Sequence, residues 1–181
     1  MTNNEFMFLV REVLKKQLGL QNLSNVRLMQ GWQGKKTETP DEPVLVFHRV
    51  TDDPVHWQYR NFSVKKDGSK VVTESQNFIT TFQVNALVPR TKPENETLTD
   101  LTSEDLLRKA QICLQSRAML EACKAAGLGL LPVTAWTPNW VRDEHDNWIA
   151  EPSFNLSIAS KEQMAWETPA VDEWDWHIYP V

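Results

Sequence analysis

The sequence predicts an α+β fold: an antiparallel or mixed β-sheet with two α-helices packed on one side, a long projecting β-hairpin and an extended C-terminal tail. Two segments carry apolar residues at three- and four-residue steps between helix start and stop signals. Other segments alternate apolar with polar residues, two of them flanking the dipeptide Asp67-Gly68. The order is helix, strands, helix, strands, so the elements come in blocks and do not repeat as βαβ units.

The first helix is NNEFMFLVREVLKKQLGL. Asn3 or Asn4 can cap its opening amides and Gly19 can close it. Phe6, Leu9, Val10, Val13, Leu14 and Leu18 form one broad apolar stripe, and Arg11, Glu12, Lys15 and Lys16 cover the other side. Such a helix is expected to lie on a sheet.

NVRLMQ is short enough for a first strand, and GWQGKKTETPDEP is a loop by its Gly, Pro and charge content. Trp32 in that loop either folds back over the sheet edge or contacts a partner. PVLVFHRV is the second strand, rich in β-branched and aromatic residues. The stretch from His56 to Val88 is the long hairpin, because Gly68 tolerates the positive φ of a tight turn. Phe78, Thr80, Phe82, Val84 and Ala86 alternate with Asn77, Ile79, Thr81, Gln83 and Asn85, which leaves both faces partly polar. A hairpin of that character projects from its domain and pairs with neighbours. Trp57, Phe62 and Phe78 are its candidate interface residues.

PRTKPENETLTDLTS is linker-like. It leads to a second helix, SEDLLRKAQICLQSRAMLEACKAAG, capped by Thr102 or Ser103 and stopped by Gly127. Leu106, Ala110, Cys113, Leu114, Arg117 and Leu120 mark its expected packed face. Strands follow in LPVTAW and NWVRDEHDNWIAEPSFNLSIAS, with Phe154, Leu156 and Ile158 on one face. The chain divides into a single domain over residues 1–170 and a tail over 171–181, VDEWDWHIYPV. In the tail Trp174, Trp176 and Ile178 alternate with Asp175, His177 and Tyr179. Disordered tails are poor in aromatics, so this one is expected to dock, either as a last strand on its own domain or, the reading adopted, as an assembly element on an adjacent subunit or on a partner.

A chain of 181 residues can bury one core. Its net charge of -5 argues against sequence-specific nucleic-acid binding, which leaves a basic footprint. An acidic wall does suit a channel through which DNA slides, because it repels phosphate. Eight tryptophans exceed what a core of this size needs and point to edges and interfaces. Cys113 and Cys123, about 15 Å apart if they share one helix, are expected to be buried thiols, with neither a disulfide nor a metal between them. No segment approaches the roughly 18 apolar residues of a membrane span, so a soluble protein made in the cytoplasm is expected.

Catalytic, cofactor and metal sites are not expected. Asp143, Glu144, His145 and Asp146 are consecutive turn residues that point in different directions, whereas ligands must converge. His48, His56, His145 and His177 are scattered singly, and no phosphate loop or nucleophile elbow is present. Trp136, Trp140 and Trp148 leave open an alternative, a carbohydrate- or peptide-binding accessory module.

The segments LVREVLKKQLGL, PVLVFHRV, AAGLGLLPV and above all VRDEHDNWIAEPSFNLSIAS resemble the neck or tail terminator proteins of tailed bacteriophages, over about residues 4 to 160. The resemblance implies a virion structural protein without catalysis. It implies a homo-oligomeric ring, typically of six copies, that caps the tail tube and docks it to the head-completion or adaptor protein. DNA then passes through the lumen without specific binding, no membrane is involved, and the protein is made in the host cytoplasm. On that basis the candidate interface residues are Trp32, Trp57, Phe62, Phe78, Trp174, Trp176 and Ile178.

Overall fold

The computed structural model describes residues 3–31, 41–89, 100–142 and 148–168. Helix α1 (Asn3–Gly19) places Phe6, Met7, Val10, Leu14 and Leu18 in the core, with Leu9 and Val13 packed at its margin. Gly19 is its last residue, but the positive φ that turns the chain falls on Asn22 (φ 59). Asparagine is one of the few non-glycine residues that tolerates this region. The Leu23 amide returns to the Leu18 carbonyl at 3.0 Å and closes the end.

The sheet is five-stranded and mixed, in the order β1-β2-β3-β7-β4. Strand β1 (Arg27–Gly31) runs parallel to β2 (Val44–Val64), and β3 (Lys70–Leu87) is antiparallel to β2 and to β7 (Ser153–Thr168). Strand β4 (Gly129–Leu130) borders β7, and the chain from Leu131 to Thr137 continues along that edge through amides to Ser157, Asn155 and Ser153. Strands β5 (Trp140–Arg142) and β6 (Trp148–Ala150) form a separate pair. Leu45 and Phe47 of β2, Phe82, Val84 and Ala86 of β3, and Phe154, Leu156 and Ile158 of β7 share one face, buried beneath the helices. Phe6 stacks on Phe82 with ring centroids 5.0 Å apart, which fastens α1 to the sheet.

Three expectations need correction. The second helix is two: α2 (Ser103–Leu114) and α3 (Arg117–Ala125), so three helices pack on the sheet among the described residues. Ser116 is the cause: it takes extended backbone angles and its hydroxyl accepts from the Met119 amide at 3.3 Å, making it a new N-cap. The break resets the helical face. Arg117 and Leu120, expected to pack, are exposed, while Met119 and Cys123 enter the core. Cys113 and Cys123 therefore sit in different helices, each a buried free thiol. At the start of α2, Thr102 and Asp105 form a reciprocal capping box, and Gly127 (φ 72) ends α3 as expected.

Second, the predicted second strand and the first arm of the hairpin are one continuous strand. Pro54 lies inside it, opposite Phe78. Among the described residues β1 pairs β2 only as far as His48, so beyond that point β2 is an edge there and a missing amide hydrogen costs nothing. Third, the projection has three strands. Strand β7 runs to Thr168 beside Lys70, which turns the predicted hairpin into a ribbon of β2, β3 and β7. The residues expected to form the tail, 171–181, and the Trp32 loop lie outside the described residues.

Candidate interaction surface

The ribbon extends the sheet past its helical cover. Beyond Thr80 and Ile158, β3 and β7 continue paired to Lys70 and Thr168, about 35 Å at the rise of an antiparallel strand. Because side chains alternate, the ribbon face that carries Phe78, Val72, Met164 and Trp166 continues the face that carries Phe82 and Leu156 in the core. The same apolar surface is thus covered by helices at one end and open at the other.

The open end is ordered in rows. Phe62, Val72 and Trp166 stand directly opposite one another across the three strands. The two aromatics shield the valine, which is 7% exposed, while Phe62 remains 67% and Trp166 39% exposed. In the rows on either side, Val64 is 68% and Met164 69% exposed. Together these side chains leave an apolar surface on the order of 400 Å², in the range where patches on soluble chains mark contact sites.

Charges frame this patch without breaking it. Arg60 forms an ion pair with Glu74 in the row beside Phe62, and Gln58 Nε2 donates to the same carboxylate at 2.7 Å. Lys65 pairs with Glu167 and ties the turn to the end of β7; that hydrogen bond holds the Lys65 ammonium above its ordinary pKa. In the turn Gly68 has φ 86, and the Asp67 carboxylate accepts from the Ser69 hydroxyl at 2.7 Å and its amide at 3.0 Å. Those bonds to Ser69 lower the Asp67 pKa. The distal edges of β2 and of β7 pair with no further strand among the described residues.

A bulge in β2 presents Trp57. The register slips between Val55 and Tyr59, and His56 adopts φ 65. Gln76 Nε2 bridges the distortion by donating to the Val55 carbonyl at 3.1 Å and the His56 carbonyl at 3.0 Å. Trp57 is left 96% exposed. Bulges re-aim side chains in this way.

Of the predicted interface residues, the arm carries Trp57, Phe62 and Phe78, with Phe62 and Phe78 on the same face but about 20 Å apart along β3. Phe78 is half-buried. Trp32, Trp174, Trp176 and Ile178 lie outside the described residues. Sequence reasoning missed Val64, Val72, Met164 and Trp166. The signal was parity: Phe154, Leu156 and Ile158 are in phase with Met164 and Trp166, across the polar interruption of Ser160 and Glu162.

Elsewhere the chemistry is sparse. Among the described residues no group of three or more His, Cys, Asp or Glu could hold a metal ion. Asp143, Glu144, His145 and Asp146 lie outside them. Desolvation raises the pKa of both thiols, and for Cys113 a hydrogen bond from Gln21 Nε2 at 3.3 Å partly opposes it. Trp136 and Trp140 are 36% and 59% exposed. No helix among the described residues is long and apolar enough to cross a membrane.

The family model described as E217 gateway protein gp29 matches residues 5–170 of the chain. No curated protein matches it. Among solved structures, the sheath/tube terminator in the extended state of an extracellular contractile injection system, PVC, is similar at 10% identity and a TM-score of 0.42. That match covers 96% of this chain and 62% of the other.

Proposed function

Because the chain belongs to the E217 gateway protein gp29 family, a phage neck and tail protein family, we propose that it forms a ring that terminates the tail tube. In this role six copies close around a lumen, cap the tube, and dock it to the head-completion or adaptor protein. The family match over residues 5–170 carries the proposal. The apolar arm supports it: a ring needs a surface that is stable alone yet gains by being covered, and the Phe62, Val72 and Trp166 row has that character. Residues 1–170 act as the ring-building domain and 171–181 as an assembly tail.

The acidic charge fits passage of DNA without adhesion. Asp52 and Glu74 are engaged by Arg49 and Arg60, so Asp41, Glu42 and Asp53, all exposed, are better suited to a lumen wall. The role requires no catalysis, cofactor or membrane, and places the protein in the virion after synthesis in the host cytoplasm. Mass photometry of the purified chain, alone and with tail tube protein, tests the proposal. Closed particles of six copies that bind tube ends are expected; a monomer that ignores tubes at every concentration overturns it.

A further inference from the structure

A second apolar surface lies at the far end of the sheet from the arm tip. A cleft of about 260 Å³ opens between α1 and β1, with Phe8, Leu28 and Phe47 in its apolar lining and Arg11 and Gln30 in its polar lining. Phe8 is 66% exposed there although it belongs to the helix that packs the core. Among the described residues β1 ends the sheet, and its main chain is paired on one side only. Leu28 and Gln30 stand opposite Leu45 and Phe47 and so face the helical side, toward the cleft. An open strand edge beside an apolar cleft is the receiver for strand addition with alternate side chains in pockets.

We propose that this cleft and the β1 edge receive the segment VDEWDWHIYPV, residues 171–181, of a second copy of the chain. The proposal rests on the ring described above and names a second contact between its copies, besides the arm. Three observations select this occupant. The segment alternates Trp174, Trp176 and Ile178 with polar residues, the period a strand beside β1 requires to seat one aromatic face in the cleft. Its charge complements the receiver: Asp172, Glu173 and Asp175 meet Arg11, Lys15, Lys16 and Arg27, all exposed on α1 and β1, which outnumber the two acids there, Glu5 and Glu12.

Reach excludes the chain's own cleft. Thr168 pairs with Lys70 at the arm tip, whereas Gln30 lies level with Val84 through Phe47. Along β3 those levels are about 45–50 Å apart. Fully extended from Thr168, the backbone reaches at most about 21 Å by Trp174 and about 36 Å by Ile178. The segment starts from the arm tip at Thr168, out of reach of its own cleft, and a neighbour's cleft is where it can land.

Two single-cysteine variants of the full chain test this, Gln30→Cys in one preparation and Tyr179→Cys in another. The native thiols are buried and spared by a short bismaleimide. Mixed under assembling conditions, the two preparations should give a covalent heterodimer. Its yield should fall at least tenfold with Trp174→Ala and Trp176→Ala, and also with Arg11→Glu and Lys15→Glu. Particles of full mass without the heterodimer overturn the tail contact and leave the ring standing. A chain that remains monomeric and uncrosslinked overturns both. A Gln30→Cys, Tyr179→Cys chain that closes within one monomer overturns the exchange between copies.

Discussion

Replacing Phe62 by Asp separates the arm's role in assembly from any role in the fold. The ring is 67% exposed, leaving on the order of 130 Å² for a neighbour to cover. At about 25 cal/mol per Å², that coverage contributes about 3 kcal/mol to each contact, so Phe62→Asp should weaken association on the order of 100-fold. Within the isolated chain the loss is smaller. Phe62 flanks Val72 in a cross-strand pair, worth up to about 1 kcal/mol, which lowers Tm by roughly 2–4 °C in a chain of this length. Mass photometry across a concentration series reads the first quantity and differential scanning fluorimetry the second. Trp166→Asp, on the opposite side of the same valine, should behave alike. An unchanged assembly midpoint would refute the arm as a contact. A Tm fall of more than about 10 °C would refute the claim that this row is peripheral to the monomer's stability.

Other perturbations probe the body. Phe82→Ala removes the partner of Phe6 from a position 1% exposed and should cost about 3–5 kcal/mol in urea unfolding; a loss near zero would mean α1 is not fastened through that stack. Gly31→Ala places a methyl group in collision with the His48 ring and 3.0 Å from Val46 Cγ1, at a cost of about 1–3 kcal/mol. Adding His48→Ala should restore most of it, and failure to do so would place the strain elsewhere. Burial raises the pKa of Cys113 and Cys123. Their contribution to stability is therefore complete below the unfolded thiol pKa of about 8.5 and is lost as pH rises through the folded values. Urea midpoints should fall less between pH 8 and pH 10 in the Cys113→Ala, Cys123→Ala chain, and equal slopes would contradict this. Duplex DNA should show no salt-sensitive binding to the assembled ring; a steep loss of affinity with added salt would reveal phosphate contacts and refute the repulsive lumen.

The body of the fold is legible in the sequence where one face is covered. The α1 stripe and the Phe154, Leu156, Ile158 alternation pair a local signal with burial, while the exposed Thr102 cap and Gly68 turn are legible from capping and turn chemistry alone. Legibility fades along the arm, because a ribbon outside the helical layer needs no continuous apolar face. Lys161 and Glu162 in the middle of β7 look like the end of a strand, yet they continue one that lacks cover on that stretch. Pro54 looks like a break in β2 but sits on an edge. Ser116 illustrates the converse: a hydroxyl inside an apparently continuous helix becomes a cap and rotates the next turn, so Met119 replaces Leu120 inside. For the candidate surface, Phe62 and Phe78 could be read because the turn defines their hairpin. Met164 and Trp166 keep the parity of Phe154, Leu156 and Ile158, but their pairing to β3 spans about half the chain, and only tertiary structure puts Trp166 in the row of Phe62.

A reconstruction of the virion neck at side-chain resolution tests the central claim most directly. The account predicts a closed ring of six copies between the tail tube and the head-completion or adaptor protein, with the Phe62, Val72 and Trp166 row covered by an adjacent chain. A chain found away from that junction, or a ring whose arms leave this row facing solvent, would contradict it.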